Sequence, residues 1–306
     1  MNNDLVNRIE KNKDISSFLT LKNQVIVENF FEAKTRDDLI DIKRYSLKKN
    51  IPIFILGGGS NIAFLTDKFK GIVVKNNYRE LKIESENSKE ILISVSSGYP
   101  VSLLISKSIE KGWSGFEYHQ GLPGTVGGAI YMNSKWTKPL TFFGDNLVFA
   151  YLIANSDQIK KVDKDYFKFA YDFSILQKTK EILLEAVFKL KKDDKKNIKE
   201  RADFALNYRK KTQPFGVATS GCFFQNISEK DKIEKNLPTT SAGYLIDKAG
   251  LKGFSIGDFY VSNIHANFII NRGNGKREDL MKLLSIIKEK VKKKFGIELK
   301  EEVIII

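Results

Sequence analysis

Nine residues, Gly121-Leu122-Pro123-Gly124-Thr125-Val126-Gly127-Gly128-Ala129, hold four glycines and a proline. Such a stretch predicts neither a stable helix nor an ordinary strand, because glycine loses conformational entropy on ordering and proline lacks an N–H. Gly127 and Gly128 offer bare backbone that a flat or charged ligand can approach, and Thr125 adds a hydroxyl. Taken alone, the segment reads equally well as a tight structural turn. A second loop, Leu56-Gly57-Gly58-Gly59-Ser60-Asn61, favours a ligand held between the two.

The second loop follows a short apolar run, Ile51-Pro52-Ile53-Phe54-Ile55-Leu56, whose β-branched residues predict a buried strand. A dinucleotide-binding Rossmann turn needs a third spaced glycine and a following helix. Here the chain leads instead to another apolar strand, Gly71-Ile72-Val73-Val74-Lys75, and no phosphate loop ending in Gly-Lys-Ser/Thr is present. The unit is therefore strand–loop–strand. Its N–H groups, with Ser60 and Asn61, form a candidate anion nest without a helix dipole.

The 306 residues suggest about two domains, and 42% hydrophobic content is enough for real cores. No apolar run approaches the ~20 residues of a membrane span, so a soluble protein is expected. The polar start Met1-Asn2-Asn3-Asp4-Leu5 has no signal-peptide character. The one cysteine, Cys222, excludes an internal disulfide and fits a cytoplasmic location. With one Cys and two His, no metal site is expected. The net charge of +14 is compatible with nucleic-acid binding or with attraction of anionic small molecules. Many of the lysines stand in mixed-charge runs such as Lys191-Lys192-Asp193-Asp194-Lys195-Lys196, which favours a solvated surface.

Residues 25–33 read as a strand. Thr35-Arg36-Asp37-Asp38 is a capping box opening a helix through about Lys49. Residues 90–96 alternate as a half-buried strand, and 101–111 form a helix closed by Gly112. Residues 166–174 and 182–190 read as two antiparallel strands. The charged stretch 191–200 is the expected domain boundary, with a helix from about Ile198 to Arg209. In the second half, Ser241 caps a short helix over 242–249, and 267–271 is a strand. Leu280, Leu283, Leu284, Ile287 and Val291 mark one face of a long helix ending at Gly296. Residues 297–306 are expected as a final strand.

Cys222 lies in a Gly-Cys-Phe-Phe frame. A lone cysteine is usually a small buried hydrophobe. A free thiol with pKa about 8.5 is also mostly protonated at neutral pH and can donate that proton. Glu302, if strand side chains alternate, shares a face with Ile304 and Ile306 and is either an edge charge or a site group. Asn226, Lys252 and Asn271 stand at the ends of apolar runs, as site residues and surface residues both do.

These pieces resemble, in order, the UDP-N-acetylenolpyruvylglucosamine reductase (UDP-N-acetylmuramate dehydrogenase, MurB) family, in its shorter class. The matching words are Leu56-Gly-Gly-Gly-Ser-Asn61, Gly121-Leu-Pro-Gly-Thr-Val-Gly-Gly128 with Asn133, Gln213-Pro214 and Gly221-Cys-Phe-Phe-Gln-Asn226. They continue with Ser241-Ala-Gly-Tyr-Leu-Ile246, Ala249-Gly-Leu-Lys-Gly253, His265-Ala266-Asn267-Phe268 with Asn271, and Phe295-Gly-Ile297 to Glu302-Val303. The resemblance implies an α+β protein. An FAD-binding domain of the PCMH/vanillyl-alcohol-oxidase type would occupy 1–195, with its core at about 20–190, and an α+β substrate-binding domain 196–306. FAD would contact Gly57, Gly58, Gly59, Ser60 and Asn61 with its pyrophosphate. Its ring would lie near Gly121, Pro123, Gly124, Thr125, Gly127, Gly128 and Asn133. NADPH would reduce the flavin, and hydride would pass to the enolpyruvyl group of the UDP-sugar, giving UDP-N-acetylmuramate for peptidoglycan. Cys222 stands where the family usually has a proton-donating serine, and Glu302 where it has a catalytic glutamate. Asn226 and Lys252 match residues that contact the UDP portion, with Asn271 a further substrate contact. A cytoplasmic monomer is expected, with no nucleic-acid or membrane partner.

This chain departs from the family at three places. Tyr171-Asp172-Phe173-Ser174 replaces Tyr-Arg-x-Ser, so an aspartate stands where an arginine would steady the substrate carboxylate. Thr20-Leu21-Lys22-Asn23-Gln24-Val25 replaces Thr-x-x-x-Gly-Gly. Ser134-Lys135-Trp136-Thr137-Lys138 follows Asn133 in place of Ala-Gly-Ala-Tyr-Gly. Either another cation takes over from the arginine or activity is reduced. The alternative function is thus a catalytically impaired flavin or nucleotide-sugar binder of the same fold.

Overall fold

The computed structural model describes residues 3–66 and 68–306. Two compact units form. One takes the chain to Asn12, then Glu28–Gly58 and Lys70–Arg209; the other takes Lys13–Val27, Gly59–Phe69 and Lys210–Ile306.

The first unit carries two main sheets. Strands β1 (Glu10–Asp14), β2 (Ile26–Ala33), β3 (Ile53–Leu56) and β4 (Lys68–Asn76) lie in the order β1-β2-β4-β3. Helix α1 (Arg36–Lys49) connects β2 to β3, and it starts as the sequence predicts. Thr35 accepts from the Asp38 backbone, while Asp38 accepts in return from Thr35 N, so two orphan donors are satisfied. The second sheet holds β5 (Leu81–Glu86), β6 (Glu90–Ser96), β7 (Leu147–Ile153), β8 (Ile159–Asp163) and β9 (Ile182–Lys192), in the order β8-β7-β9-β6-β5. Strand β9 is apolar on both faces because it serves two cores. Ile182 and Leu184 pack with Phe31, Leu39 and Ile72, while Leu183, Ala186 and Phe188 pack with Ile93, Val101 and Phe116. Helix α2 (Val101–Lys111) lies on the latter core and ends at Gly112, in the left-handed region at φ 73°.

Three expectations are corrected here. The glycine-rich stretch does contain a helix, α3 (Val126–Met132), with Gly127 and Gly128 in its first turn. Thr125 Oγ1 caps it by accepting from Gly128 N at 3.4 Å, and Val126, Ala129 and Ile130 are buried beneath it. Packing outweighs the cost of about 1 kcal/mol that each glycine brings to a helix.

Residues 166–174 are not a strand. A 3-10 turn at Lys164–Phe167 is capped by Asp163, and Lys168 and Asp172 turn the chain at φ 45° and 49°. The antiparallel partners of β9 are instead β6 and β7, whose apolar run Leu147–Ile153 the sequence reading passed over.

Residues 297–306 keep only a two-residue strand, Ile304–Ile305, parallel to Ile62–Ala63. The chain bends at Glu302 and Val303 because both amides turn to one carbonyl, that of Phe223, at 2.8 and 3.4 Å. Strand alternation therefore does not govern Glu302.

Helix α4 (Lys195–Thr212) follows β9, longer at both ends than expected. The main sheet of the second unit holds β10 (Ala218–Cys222), β11 (Ser255–Ile256), β12 (Phe259–Val261) and β13 (Phe268–Asn271), in the order β10-β13-β12-β11. Helices α5 (Ala242–Lys248), capped by Ser241 Oγ, and α6 (Arg277–Phe295) cover it. Leu280, Leu283, Leu284, Ile287 and Val291 of α6 all enter its core, as the helical periodicity predicts. Among the described residues, no helix is long and apolar enough to cross a membrane.

Candidate active site

In the first unit, the two glycine loops pack main chain on main chain. A Cβ on Gly58 would stand 2.5 Å from Gly124 Cα, and one on Gly57 would stand 2.5 Å from Thr125 Oγ1. The loops need glycine because each occupies the other's side-chain space. Gly121 turns at φ 82°, against the Arg209 and Leu206 side chains. Gly124 O accepts from Val101 N at 3.1 Å, and Gly127 N donates to Ser97 O at 2.8 Å. Pro123 lies between these anchors. At Gly128 an added Cβ would meet, within 4 Å and outside the helix's own backbone, only Thr125 Oγ1 at 3.7 Å among the described residues, so that face of the peptide stays open. Lys75 lies opposite Leu56 in the β3–β4 register, and its ammonium donates to the Gly57 carbonyl. Burial foremost, and Arg79 beside it, hold the Lys75 pKa below its ordinary value.

Asn133 closes α3 in the left-handed region at φ 46°. Its Nδ2 donates to Ala170 O at 3.2 Å, and its Oδ1 is buried without a hydrogen-bond partner. His119, one turn before Gly121, has its pKa pushed down to about 3, chiefly by burial and further by the Arg209 charge. It is a neutral ring at physiological pH, not a proton source.

In the second unit, the structure joins Asn61 to Glu302 and sets Glu302 against the residue that follows Cys222. Half-buried Cys222 ends β10 after Gly221, which turns at φ 82°. The next residue, Phe223, accepts through its carbonyl from Glu302 N. Asn61 Nδ2 donates to Glu302 O at 3.2 Å, and Asn61 O accepts from Ile304 N at 3.0 Å. Ser220 Oγ donates to Ile62 O at 2.8 Å, so the Ser60-Asn61 end of the loop is tied to the strand carrying the thiol. Gly59, at φ 65°, has Phe18 O 2.1 Å from where a Cβ would be, and Thr20 donates to its carbonyl through both N and Oγ1.

The remaining candidates have internal tasks. Asn226 Oδ1 accepts from Ala242 N at 3.1 Å and so supports the start of α5. Lys252 pairs with Asp247 at 3.1 Å, both substantially exposed. Buried Asn271 donates to Leu21 O and accepts from Gly273 N and Gly275 N, organising the turn before α6. It pairs with Ala218, at the end of β10 remote from Cys222. Sequence reasoning did not single out Lys75 or Lys135. No local signal marks either, since each is one lysine among many.

Bare peptide at Gly128 and the unpartnered acceptor at Asn133 suit a flat heterocycle that carries hydrogen-bond donors. The FAD binding domain family model matches residues 27–150, and the model for the C-terminal domain of UDP-N-acetylenolpyruvoylglucosamine reductase matches 213–306. Fold and loops together define an FAD-dependent oxidoreductase.

The chain is 35% identical to the UDP-N-acetylenolpyruvoylglucosamine reductase of Protochlamydia amoebophila, over 90% of this chain and 86% of that one. It is 31% identical to that of Bacillus subtilis, over 98% and 95%. The crystal structure of the Thermus caldophilus enzyme superposes with a TM-score of 0.79 at 26% identity, covering 97% of this chain and 98% of that one. The chain belongs to the UDP-N-acetylenolpyruvoylglucosamine reductase family. It is accordingly a UDP-N-acetylmuramate dehydrogenase of peptidoglycan precursor synthesis, using FAD and NADPH.

Proposed function

We propose that Cys222 and Glu302 are the proton donor and its carboxylate partner in this reduction. The observation that carries the proposal is the double hydrogen bond from Glu302 N and Val303 N to the carbonyl of the residue after Cys222. FAD held by the two glycine loops would supply the enolpyruvyl double bond with hydride drawn from NADPH. Hydride addition leaves negative charge on the carbon beside the substrate carboxylate. That carbon then needs a proton, and the Cys222 Sγ–H gives it. Glu302, on the segment hydrogen-bonded to the residue after Cys222, is the partner that orients the thiol toward that carbon.

Gly57, Gly58, Gly121, Pro123, Gly124, Thr125, Gly127, Gly128 and Asn133 hold FAD in this reading, as do Gly59, Ser60 and Asn61. Asn226, Lys252 and Asn271 serve the UDP-sugar, the exposed Lys252 suiting its pyrophosphate. The FAD-binding part is taken as 1–195 and the substrate-binding part as 196–306. The protein is taken as a cytoplasmic monomer without nucleic-acid or membrane partners, its positive charge favouring anionic small molecules.

The test is turnover. Purified protein should be yellow and should oxidise NADPH when the UDP-enolpyruvyl sugar is added. Buried Asp172 favours one second reading, a binder with impaired chemistry. Yellow protein that binds the sugar without oxidising NADPH would select it.

Glu302→Gln removes the carboxylate that partners the thiol in this reading. The rate of flavin reoxidation by substrate should drop about 10²–10³-fold in stopped-flow absorbance. A wild-type rate would take Glu302 out of the chemistry.

A further inference from the structure

The short strand Lys135–Thr137 leaves the end of α3, and its first residue meets the turn at 170–173. The Lys135 ammonium stands 3.2 Å from the centre of the Tyr171 ring and 3.9 Å from Asp172 Oδ1, with 19% of the lysine side chain exposed. Asp172 is a costly residue. Its backbone is left-handed at φ 49°, its exposure is 6%, and its Oδ2 is buried with no hydrogen-bond partner. Burial pushes its carboxyl pKa up, against the opposing pull of Lys135. The turn is nevertheless fixed. Gln177 Nε2 donates to Asp172 O at 2.8 Å, and Ser174 Oγ donates to Tyr131 O in α3 at 2.8 Å.

A pair separated by 3.9 Å falls short of a direct charge-assisted hydrogen bond. Stability alone does not explain the arrangement, since an apolar pair would fill the same space without a starved oxygen. The arrangement does suit an anion subsite that carries its own counterion. The aromatic face fixes the ammonium, and the internal carboxylate faces it. An incoming anion must compete with Asp172, which rejects weak or badly placed anions. The reaction presents one carboxylate beside the carbon where charge develops, and a cation there lowers the barrier.

We infer that Lys135 receives the carboxylate of the enolpyruvyl arm and that Asp172 is its counterion in the absence of substrate. This assignment rests on the function proposed above. It also gives Asp172 a task other than loss of activity.

The test titrates the flavin absorbance of the holoenzyme with the UDP-enolpyruvyl sugar and with the same UDP-sugar lacking the enolpyruvyl arm. Lys135→Met should weaken binding of the first by about 10–100-fold and leave the second unchanged. Lys135→Arg should recover most of the loss, and it serves as the informative variant if the methionine protein does not hold flavin. Asp172→Asn should bind the enolpyruvyl sugar several-fold more tightly. Equal affinity of Lys135→Met and wild type for the enolpyruvyl sugar would overturn the inference, as would equal weakening towards both sugars or looser binding by Asp172→Asn. Failure of the wild type to oxidise NADPH with the enolpyruvyl sugar would instead bring down the underlying function.

Discussion

Cys222→Ala should reduce at the wild-type rate when mixed with NADPH and then stall. Reoxidation of its flavin by the UDP-enolpyruvyl sugar should be slower by about 10²–10⁴-fold, the usual range for loss of a positioned acid. The division follows from the chemistry, because a proton is required only after hydride has reached the sugar. Two stopped-flow experiments on one preparation separate the steps, each followed in the flavin absorption bands. Equal slowing of both half-reactions would show that the substitution disturbs the flavin environment and that the proton comes from elsewhere. Cys222→Ser should recover part of the rate, since a hydroxyl retains a transferable proton.

The second large effect is expected at Gly58. An alanine methyl there would lie 2.5 Å from Gly124 Cα and 3.3 Å from both Gly124 N and C. No flexible side chain is available to yield, so the two loops must part. Overpacking of this kind costs roughly 1–3 kcal/mol, and FAD affinity should fall by well over tenfold as its cradle opens. Gly128→Ala is the control. Its methyl meets only Thr125 Oγ1 at 3.7 Å, and alanine is the better helix former by about 1 kcal/mol. The apoprotein should melt at the same temperature or higher, while FAD binding, followed by quenching of flavin fluorescence, should still weaken. Gly128→Ala with undiminished affinity would free that face of the peptide from any cofactor role.

Local signals made much of the fold readable. The Thr35–Asp38 box, the Gly112 stop, the alternation through 90–96 and the apolar stripe from Leu280 to Val291 each depend on residues close in sequence. Helix α3 was hidden because Gly127 and Gly128 are helix breakers in isolation. Its support comes from Ser97 and from the buried side of Val126 and Ile130, which are tertiary facts. Residues 166–174 imitate a strand in composition, yet Asp163 and the left-handed Lys168 and Asp172 bend them into turns. The final ten residues are rich in isoleucine, and only the position of the Phe223 carbonyl shows why they bend at Glu302.

The site divides in the same way. Its glycine words, the thiol and the acid can all be picked out along the chain. That Gly58 rests on Gly124, or that the segment after Cys222 pairs with Glu301 and Glu302, is a matter of three-dimensional pairing. Lys135 shows the limit most clearly. One lysine in a lysine-rich protein acquires meaning only from the ring and the carboxylate it meets.

The pairing of the Cys222 and Glu302 segments is written in main-chain amides and one carbonyl oxygen, which are the same whatever side chains hang from them. A serine at position 222 would therefore leave these main-chain bonds as they are. In this corner of the molecule, chemistry is an interchangeable fitting and geometry the permanent fixture.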